Sequence, residues 1–247
     1  MKGFILAAGY GTRLRPETDR VPKPLFPIGT SNMIKNAIGY LHANHIDDIT
    51  INMHHLAHLI KKELSWNVRD SVNLHLIEEE EIRGTAGGIK GAEEFLGDST
   101  FVVMNCDILI DLDIQQAAEF HTSNNALATL VLRDNPTPSQ IGTLVADKNG
   151  RLVRFLDSTS PSYKVEEVVP DLKMFTGVAI YSPEIFNHIP SGRTVDISTE
   201  IFPKLMEADA PIYTYNHTGY WADIGTPTSY TEARMDVALG RFKTHNI

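Results

Sequence analysis

The stretch that decides the fold is Leu6-Ala7-Ala8-Gly9-Tyr10-Gly11-Thr12-Arg13-Leu14-Arg15-Pro16, which continues an apolar run at residues 3–8. An apolar run of that length stopped by glycine predicts a short buried strand followed by a tight turn. Small residues in such a turn let backbone N–H groups approach an anion closely, and Arg13 and Arg15 add positive charge. The sequence therefore predicts an anion-binding loop at the carboxyl end of the first strand.

Apolar runs of strand length alternate with helical patterns from this loop through residue 132. Predicted strands occupy residues 49–53, 74–77, 101–104 and 126–132, and predicted helices occupy residues 33–41, 55–64, 87–96 and 113–121. Ser31 or Asn32 is expected to cap the first of these helices, and Asp113 the last. The alternation predicts an α/β fold with a mixed, mainly parallel central sheet and helices on both faces.

The pattern changes after about residue 133. Residues 143–146 and 152–155 flank an Asp-Lys-Asn-Gly turn and predict a hairpin, whereas residues 158–171 lack periodicity and predict a loop. Further strands are expected at residues 175–181, 212–215 and 220–224, and helices at residues 199–208 and from Pro227 onward. Because no repeat or linker is apparent, we predict a single domain over residues 1–247.

The composition narrows the range of partners. The 247 residues carry a formal net charge of −9 and a single cysteine, Cys106. An acidic chain has no broad attraction for nucleic acid or anionic membranes, so neither partner is expected. One cysteine excludes an intramolecular disulfide, and no apolar run is long enough for a signal peptide or a membrane span. We expect a cytoplasmic protein that acts as a monomer or a homodimer.

Several loop chemistries compete for the glycine-rich stretch. A dinucleotide-binding fingerprint requires a third glycine where this chain has Leu14, which disfavours a dehydrogenase, and the Gly-Lys-Ser/Thr of a Walker-type loop is absent. A simple tight turn with surface arginines stays open on the loop alone. The next segment, Val21-Pro22-Lys23-Pro24-Leu25, favours a functional loop, because two prolines are expected to give one lysine a rigid, extended mount that suits a catalytic or phosphate-holding cation.

Taken together, residues 6–16 and the Pro-Lys-Pro-Leu that follows closely resemble the signature of the sugar-1-phosphate nucleotidylyltransferases, such as mannose-1-phosphate guanylyltransferases and N-acetylmuramate-1-phosphate uridylyltransferases. The resemblance extends through Gly-Thr-Ala-Gly-Gly at 84–88, Asn-Cys-Asp at 105–107 and Trp-Ala-Asp-Ile-Gly-Thr at 221–226. It implies a Rossmann-like nucleotidyltransferase core. It also implies Mg²⁺-dependent transfer from a nucleoside triphosphate to a sugar 1-phosphate, which gives an NDP-sugar and pyrophosphate.

The resemblance implies roles for individual residues as well. Residues 1–132 would form the nucleotide-binding half, and residues 133–247 would supply the sugar site and a second metal ligand. Asp107 and Asp223, each at the end of a predicted strand, would hold Mg²⁺, which favours carboxylate and phosphate oxygens. Arg13 and Lys23 would be catalytic, because they neutralise charge on two anionic reactants. The expected nucleotide contacts are Leu6, Ala7, Ala8, Gly9, Gly11, Thr12, Arg13, Lys23, Glu79, Gly84, Thr85, Gly87, Gly88 and Asp107.

Base selection is expected to fall to Glu79, which precedes the second glycine-rich loop. A carboxylate accepts two hydrogen bonds side by side, and guanine offers two donors on its Watson–Crick edge whereas uracil offers one. This favours guanylyl transfer to a mannose-like sugar phosphate, with uridylyl transfer to N-acetylmuramate or glucose 1-phosphate left open. A non-catalytic sugar-nucleotide sensor is an alternative of another class, although such a protein need not keep Arg13, Lys23, Asp107 and Asp223 together.

The sugar side departs from the family pattern. Many members carry a Glu-Lys-Pro motif after the hairpin, but residues 155–159 here read Phe-Leu-Asp-Ser-Thr. The lysine that contacts the sugar phosphate in those members is therefore missing, so that contact is either lost or supplied elsewhere, with Lys173 and Lys204 as the candidates. Gly142, Thr176 and Gly177 match positions expected near the sugar.

Overall fold

The computed structural model describes residues 1–66, 71–134, 144–162, 173–245 and 247. The chain divides into two compact units, of which unit 1 comprises Met1–Ile82, Val103–Leu112 and Gly219–Ile247, and unit 2 comprises Arg83–Val102 and Asp113–Thr218. Each unit contains residues from both sides of position 132. The prediction of one domain with halves 1–132 and 133–247 stays a prediction.

The regular elements follow in chain order. The strands are β1 (Lys2–Leu6), β2 (Pro27–Ile28), β3 (Ser31–Asn32), β4 (Asp48–Met53), β5 (Asn73–Glu78), β6 (Phe101–Asn105), β7 (Ile108–Ile110), β8 (Ala128–Asp134), β9 (Leu144–Ala146), β10 (Leu152–Phe155), β11 (Ser158–Thr159), β12 (Lys173–Tyr181), β13 (Ile212–Asn216) and β14 (Trp221–Asp223). The helices are α1 (Met33–Ala43), α2 (Ala57–Trp66), α3 (Gly84–Gly91), α4 (Glu93–Leu96), α5 (Ile114–Ser123), α6 (Phe202–Glu207) and α7 (Pro227–Ala238).

The core of unit 1 is a parallel sheet of buried apolar strands. β1 pairs in parallel with β4, and β4 with β5, so the order is β1-β4-β5. The first ladder ends where Leu6 pairs with Asn52. Both faces of β1 and β4 are covered, since the adjacent residues Phe4 and Ile5 in β1 and Thr50 and Ile51 in β4 are at most 1% exposed. Parallel strands release their loops at one common edge, which brings the segments after β1, β4 and β5 together.

Helix α1 packs against the C-terminal segment of unit 1. Asn32 caps it by accepting a hydrogen bond from the Lys35 N–H at 3.0 Å, as the sequence predicts. Near the middle of the helix, a Cβ on Gly39 would lie 2.8 Å from the His245 carbonyl oxygen. The His245 N–H donates in turn to Asn36 Oδ1 at 2.9 Å. The C-terminal segment therefore packs on α1 at a place where a side chain at residue 39 would not fit.

Unit 2 is built on strands in the order β13-β8-β12, with β13 parallel and β12 antiparallel to β8. The predicted hairpin is confirmed, because β9 and β10 pair antiparallel across residues 147–150. Asp113 caps α5 by accepting from the Gln116 N–H at 3.1 Å, which is also as predicted. Three of the four described ladders among β1, β4, β5, β8, β12 and β13 are parallel, so the predicted mixed, mainly parallel sheet is confirmed.

Three sequence predictions for regular structure need correction. The helix predicted at residues 87–96 is two helices, α3 and α4, and it begins at Gly84 because the Ala86 and Gly87 N–H groups donate to Val195 O. The helix predicted at 199–208 opens with a π-helical turn, Ile197–Ile201, before α6. Pro203 has no N–H to donate in the normal ladder, which explains the irregular turn. The loop predicted at residues 158–171 contains the short strand β11, and its residues 163–171 lie outside the described residues. The short strands β2, β3 and β7 have no counterpart in the predictions.

The described residues include no helix both long and apolar enough to cross a membrane.

Candidate active site

The glycine-rich loop follows β1. Its backbone is fixed by contacts at Gly11, whereas the space beside Gly9 is open. Gly11 has φ of 63°, a left-handed conformation that favours glycine, and its carbonyl accepts from the Thr18 hydroxyl at 3.0 Å. A Cβ on Gly11 would lie 3.0 Å from the buried Thr18 side chain and 3.2 Å from Lys23 Cβ. A Cβ on Gly9 would instead meet nothing within 4 Å. Gly11 is thus required by packing, whereas Gly9 leaves accessible space beside the backbone.

Lys23 forms an ion pair with Asp107 inside unit 1. The lysine lies in the short helical turn Lys23–Leu25, after Pro22 in an extended conformation. The extended mount predicted for Lys23 is therefore wrong, because the lysine begins a helical turn and only Pro22 before it is extended. Its Nζ contacts Asp107 Oδ2, and the two side chains are 11% and 22% exposed. A partly buried pair of this kind places a positive charge directly beside the proposed metal ligand.

The two aspartates are brought together by backbone pairing. β7 follows Asp107 and pairs antiparallel with β14, with Ile108 opposite Asp223. The Ile224 N–H donates to the Asp107 carbonyl at 2.9 Å, and the Cys106 N–H donates to Leu6 O at 3.1 Å. These contacts fix Asp107 between the end of β1 and the end of β14. The sequence predicted this juxtaposition of the carboxylates but not the ladder that creates it.

The environment of Asp223 fits a divalent cation. Its Oδ1 atom is buried and has no hydrogen-bond partner among the described residues. Burial raises the pKa of the Asp223 carboxyl, and the negative charge of Asp107 raises it further, while Lys23 and Arg13 act in the opposite direction. A buried carboxylate oxygen without a donor, next to a second carboxylate, is the type of hard oxygen site that Mg²⁺ occupies with substrate phosphates. Asp107 and Asp223 are therefore the residues that would hold it.

Arg13 is positioned by the absence of a side chain at residue 225. A Cβ on Gly225 would lie 2.8 Å from the Arg13 guanidinium nitrogens. The exposed Arg13 thus reaches the segment that follows Asp223, and its charge contributes to the electrostatics of that carboxyl. Four charged side chains that separate motifs predicted, those of Arg13, Lys23, Asp107 and Asp223, therefore belong to unit 1.

Glu79 occupies a different environment from the one expected for a base-reading side chain. The residue is 2% exposed, and its Oε1 accepts a hydrogen bond from Asn52 Nδ2 at 2.7 Å. Asn52 Oδ1 accepts in turn from the Ala7 N–H at 2.9 Å. The role of Glu79 in base reading stays a prediction, and Asn52 is a buried polar residue beside the glycine-rich loop that the sequence reasoning did not single out.

The second glycine-rich loop belongs to unit 2, where its residues contact the segment before α6. Gly84 has φ of 73°, and a Cβ there would lie 2.5 Å from Val195 O. The Thr85 hydroxyl donates to Asp196 Oδ2 at 2.9 Å and accepts from the Ile197 N–H at 2.8 Å. A Cβ on Gly87 would lie 2.9 Å from Arg83 Cβ. Packing within unit 2 accounts for these residue types, and their nucleotide contacts, with that of Gly88, stay predictions.

The sugar-side predictions are left without geometric support. Thr176 is fully buried, and its hydroxyl donates to Val131 O at 2.8 Å. Gly177 has φ of 82° and lies where the register between β12 and β8 shifts, which is a structural reason for glycine. Gly142 lies outside the described residues. Of the two candidate replacement lysines, Lys173 is paired with Asp134, and Lys204 lies exposed on α6.

Comparison with known families decides the assignment of the chain. A family model for nucleotidyl transferases matches residues 2–239. The chain belongs to the nucleotidyl transferase family. Curated relatives in this family include a UTP–glucose-1-phosphate uridylyltransferase from Synechocystis sp., 35% identical over 260 residues, and a mannose-1-phosphate guanyltransferase from Yarrowia lipolytica, 35% identical over 234 residues. They match 100% and 93% of this chain, which spans 66% and 62% of their own lengths.

Solved structures agree with the family assignment. A Bacillus anthracis protein described as a glucose-1-phosphate thymidylyltransferase aligns over 98% of this chain and 95% of its own, with a TM-score of 0.75 and 25% identity. HddC from Yersinia pseudotuberculosis, solved with GMP-PN, aligns over 95% of this chain and 98% of its own, with a TM-score of 0.77 and 22% identity. These likenesses bear out the predicted Rossmann-like nucleotidyltransferase core.

Proposed function

We propose that this nucleotidyl transferase family member moves a nucleotidyl group from a nucleoside triphosphate to a sugar 1-phosphate and releases pyrophosphate. The observation that carries the proposal is the cluster of Lys23, Asp107 and Asp223 beside the glycine-rich loop of unit 1. A cluster that joins a cation, two carboxylates and accessible loop backbone suits the handling of a polyphosphate with a divalent metal. The names of the curated relatives support the same reaction class.

The chemistry follows from charge. A phosphate oxygen of the sugar 1-phosphate attacks the α-phosphorus of the triphosphate, so that a new P–O bond forms as the bond to the β-phosphate breaks. Both reactants are anions, and their repulsion opposes the approach. Arg13, Lys23 and the N–H groups of the loop lower that repulsion and hold the triphosphate in line. The attacking phosphate is already ionised near neutral pH, so the step requires no general base.

Mg²⁺ is the proposed cofactor, and Asp107 with Asp223 would hold it. When bound there it would neutralise phosphate charge and help to orient the triphosphate. The unpartnered Oδ1 of Asp223 supports this assignment, because a buried carboxylate oxygen is costly unless a donor or a cation satisfies it. Lys23 compensates the charge of Asp107 in the structure described above.

Guanylyl transfer to a mannose-like phosphate is the version of the reaction that we favour. Curated relatives from Yarrowia lipolytica and Mycobacterium tuberculosis are named mannose-1-phosphate guanyltransferase and guanylyltransferase. Uridylyl transfer is the competing version, because the Synechocystis relative is named a glucose-1-phosphate uridylyltransferase and matches the whole chain. The contact between Glu79 and Asn52 weakens the argument for guanine that rested on a free glutamate carboxylate.

The decisive experiment is pyrophosphate release in the presence of Mg²⁺, with GTP, UTP, dTTP, ATP and CTP each tested against a panel of sugar 1-phosphates. We expect one pair to react at least tenfold faster than the others, with mannose 1-phosphate and GTP first. A fastest pair of UTP with glucose or N-acetylmuramate 1-phosphate would replace guanylyl by uridylyl transfer. Triphosphate binding without release from any pair would instead favour a sugar-nucleotide sensor.

A further inference from the structure

A buried chain of hydrogen bonds links the ends of three neighbouring strands in unit 1. The Ala7 N–H, directly after β1, donates to Asn52 Oδ1 in β4 at 2.9 Å. Asn52 Nδ2 donates to Glu79 Oε1, directly after β5, at 2.7 Å. All three residues are at most 5% exposed. The network therefore joins the start of the glycine-rich loop to the residue that follows β5 through side chains that are almost fully buried.

The network continues the sheet where its ladder stops. Leu6 pairs with Asn52 at the last position of the ladder between β1 and β4, so the Ala7 N–H is the first loop donor beyond that ladder. A buried backbone N–H needs an acceptor, and the side chain of Asn52 supplies it. Because that N–H can only donate, Asn52 must present its oxygen to Ala7 and its amide nitrogen to Glu79.

Glu79 is held tightly enough to orient the amide. Its N–H donates to Met53 O at 2.7 Å, and its carbonyl lies 2.8 Å from His54 Nδ1. The carboxylate therefore approaches Asn52 from a fixed backbone position. Glu79 thus sets the orientation of Asn52, and Asn52 sets the orientation of the Ala7 peptide.

We propose that Asn52 is a positioning residue of the triphosphate site and that Glu79 acts through it. By holding the Ala7 peptide, Asn52 directs the loop that begins there, so that the open backbone at Gly9 faces the phosphates. Its effect is on the phosphates, which all nucleoside triphosphates share, and does not depend on the base. The inference rests on the proposed function, since it assigns the loop to a triphosphate.

The test compares four variants of the full chain with the wild type. Asn52→Ala removes the link, and Glu79→Ala leaves Asn52 without its anchor. Glu79→Gln keeps an oxygen that can accept from Asn52, but it replaces the other carboxylate oxygen by an NH2 group, which donates instead of accepting. Thr50→Val is the matched control, because it alters a buried polar residue two positions earlier on the same face of β4. Thermal unfolding identifies any variant that does not fold.

The readouts are the KM values for GTP, UTP and the reacting sugar phosphate, and the Kd values for GTP and UTP by calorimetry. We expect Asn52→Ala to raise KM and Kd of both triphosphates about tenfold and by the same factor, the size of one lost hydrogen bond. The KM for the sugar phosphate should change less than twofold. Glu79→Ala should shift both triphosphates in the same direction, and Glu79→Gln should leave the GTP-to-UTP ratio at its wild-type value.

Distinct outcomes contradict the inference. A changed GTP-to-UTP ratio in Glu79→Gln would mean that Glu79 reads the base directly. Equal changes in triphosphate KM and Kd for Asn52→Ala and Thr50→Val would mean that Asn52 contributes only packing. If Asn52→Ala does not fold, Glu79→Ala and Glu79→Gln are compared with Thr50→Val in the same way. A wild-type protein that binds triphosphates without turnover would overturn the proposed function while the Kd values still test Asn52. A wild type that binds neither triphosphate would overturn both.

Discussion

At the scale of single residues, the ion pair between Lys23 and Asp107 is central to the site. Without a metal, Lys23 neutralises a carboxylate that would otherwise repel both Asp223 and an incoming phosphate. A cation held by the aspartates would take over that neutralisation and leave Lys23 free to contact phosphate oxygens. The arrangement predicts that each member of the pair matters to turnover more than to folding.

Asp107→Asn tests this at the metal ligand. The amide cannot bind Mg²⁺ as a carboxylate does, and it loses its charge attraction to Lys23. We expect kcat to fall on the order of 10²–10³-fold, the size seen when one preorganised electrostatic group is removed. Pyrophosphate release with the best substrate pair measures the effect, and Lys23→Ala should give a loss of similar size.

Asp113→Asn provides the matched control for that substitution. It makes the same chemical change six residues later, where Asp113 caps α5 and asparagine is an equally good cap. Its kcat and midpoint of thermal unfolding should both stay near wild type. If Asp107→Asn turns over as fast as this control, Asp107 has no part in the reaction.

His121 leads to a prediction about pH and stability. The residue is 1% exposed, and burial lowers its pKa to about 4. The Ser182 hydroxyl donates to Ala126 O, so it must accept from the ring at Nε2, which leaves Nδ1 to accept from the Thr129 hydroxyl. The folded protein therefore holds this histidine neutral.

Since the unfolded histidine takes up a proton near pH 6.5 and the folded one only near pH 4, protonation favours the unfolded chain between these values. The free energy of unfolding should fall as pH drops through that range, by at most about 1.4 kcal/mol per pH unit from this residue. Urea denaturation at several pH values compares the wild type with His121→Asn, which should lose this contribution. Identical pH slopes in the two proteins would show that His121 is not responsible.

Sequence motifs predicted the charged residues of the site better than the neutral ones. Lys23, Asp107 and Asp223 stand beside prolines, strand ends or glycines, so local sequence marks them. Asn52 lies inside a strand in which polar and apolar residues alternate, and it belongs to no sequence motif. Its proposed role depends on hydrogen bonds to Ala7 and Glu79, which are 45 and 27 positions away in the sequence and come close only in the folded sheet.

At the scale of elements, glycines predicted to face a ligand can have packing reasons instead. Gly84 and Gly192 both have positive φ, 73° and 77°, but only Gly84 has a neighbour in the way, Val195 O at 2.5 Å. Alanine at either position incurs the left-handed penalty, and alanine at Gly84 must also shift backbone. We expect Gly84→Ala to lose about 1–3 kcal/mol more than Gly192→Ala in chemical denaturation. Equal losses would mean that the clash is relieved at no cost.

Two of the elements that sequence reasoning missed depend on distant partners. β7 has three residues and exists because β14 pairs with it more than 100 positions later. The π-helical turn before α6 depends on Asp196, whose carboxylate accepts from the Ser198 and Thr199 N–H groups and from the Thr85 hydroxyl. By contrast, α1 and α5 carry their own caps in the sequence, and both were predicted to within two residues at the start.

At the scale of the whole chain, Gly39 ties the C-terminal segment to α1. Alanine in mid-helix normally stabilises by about 0.5–1 kcal/mol, but here its Cβ would lie 2.8 Å from His245 O and 2.9 Å from Ile247 Cγ2. We expect Gly39→Ala to release the end of the chain, so that the His245 amide exchanges faster while amides of β1 and β4 do not. Asn36→Ala, which removes the acceptor of that amide, should produce the same pattern by another route.

A different result for that pair would be informative. If the His245 amide exchanges at an unchanged rate in Gly39→Ala, α1 rather than the C-terminal segment has moved to make room for the added Cβ. Thermal unfolding would then show a lower midpoint for the whole protein.

The segmented composition of unit 1 has a consequence for biosynthesis. The glycine-rich loop, Lys23 and Asp107 leave the ribosome before β14 and Asp223, which belong to Gly219–Ile247, the last of the three segments of unit 1. A nascent chain that stalls before residue 219 would carry the anion-binding loop with only one of its two carboxylates. The proposed site would therefore be complete only once residue 223 has been made, and a second fragment that supplies residues 219–247 in trans would be the way to restore it.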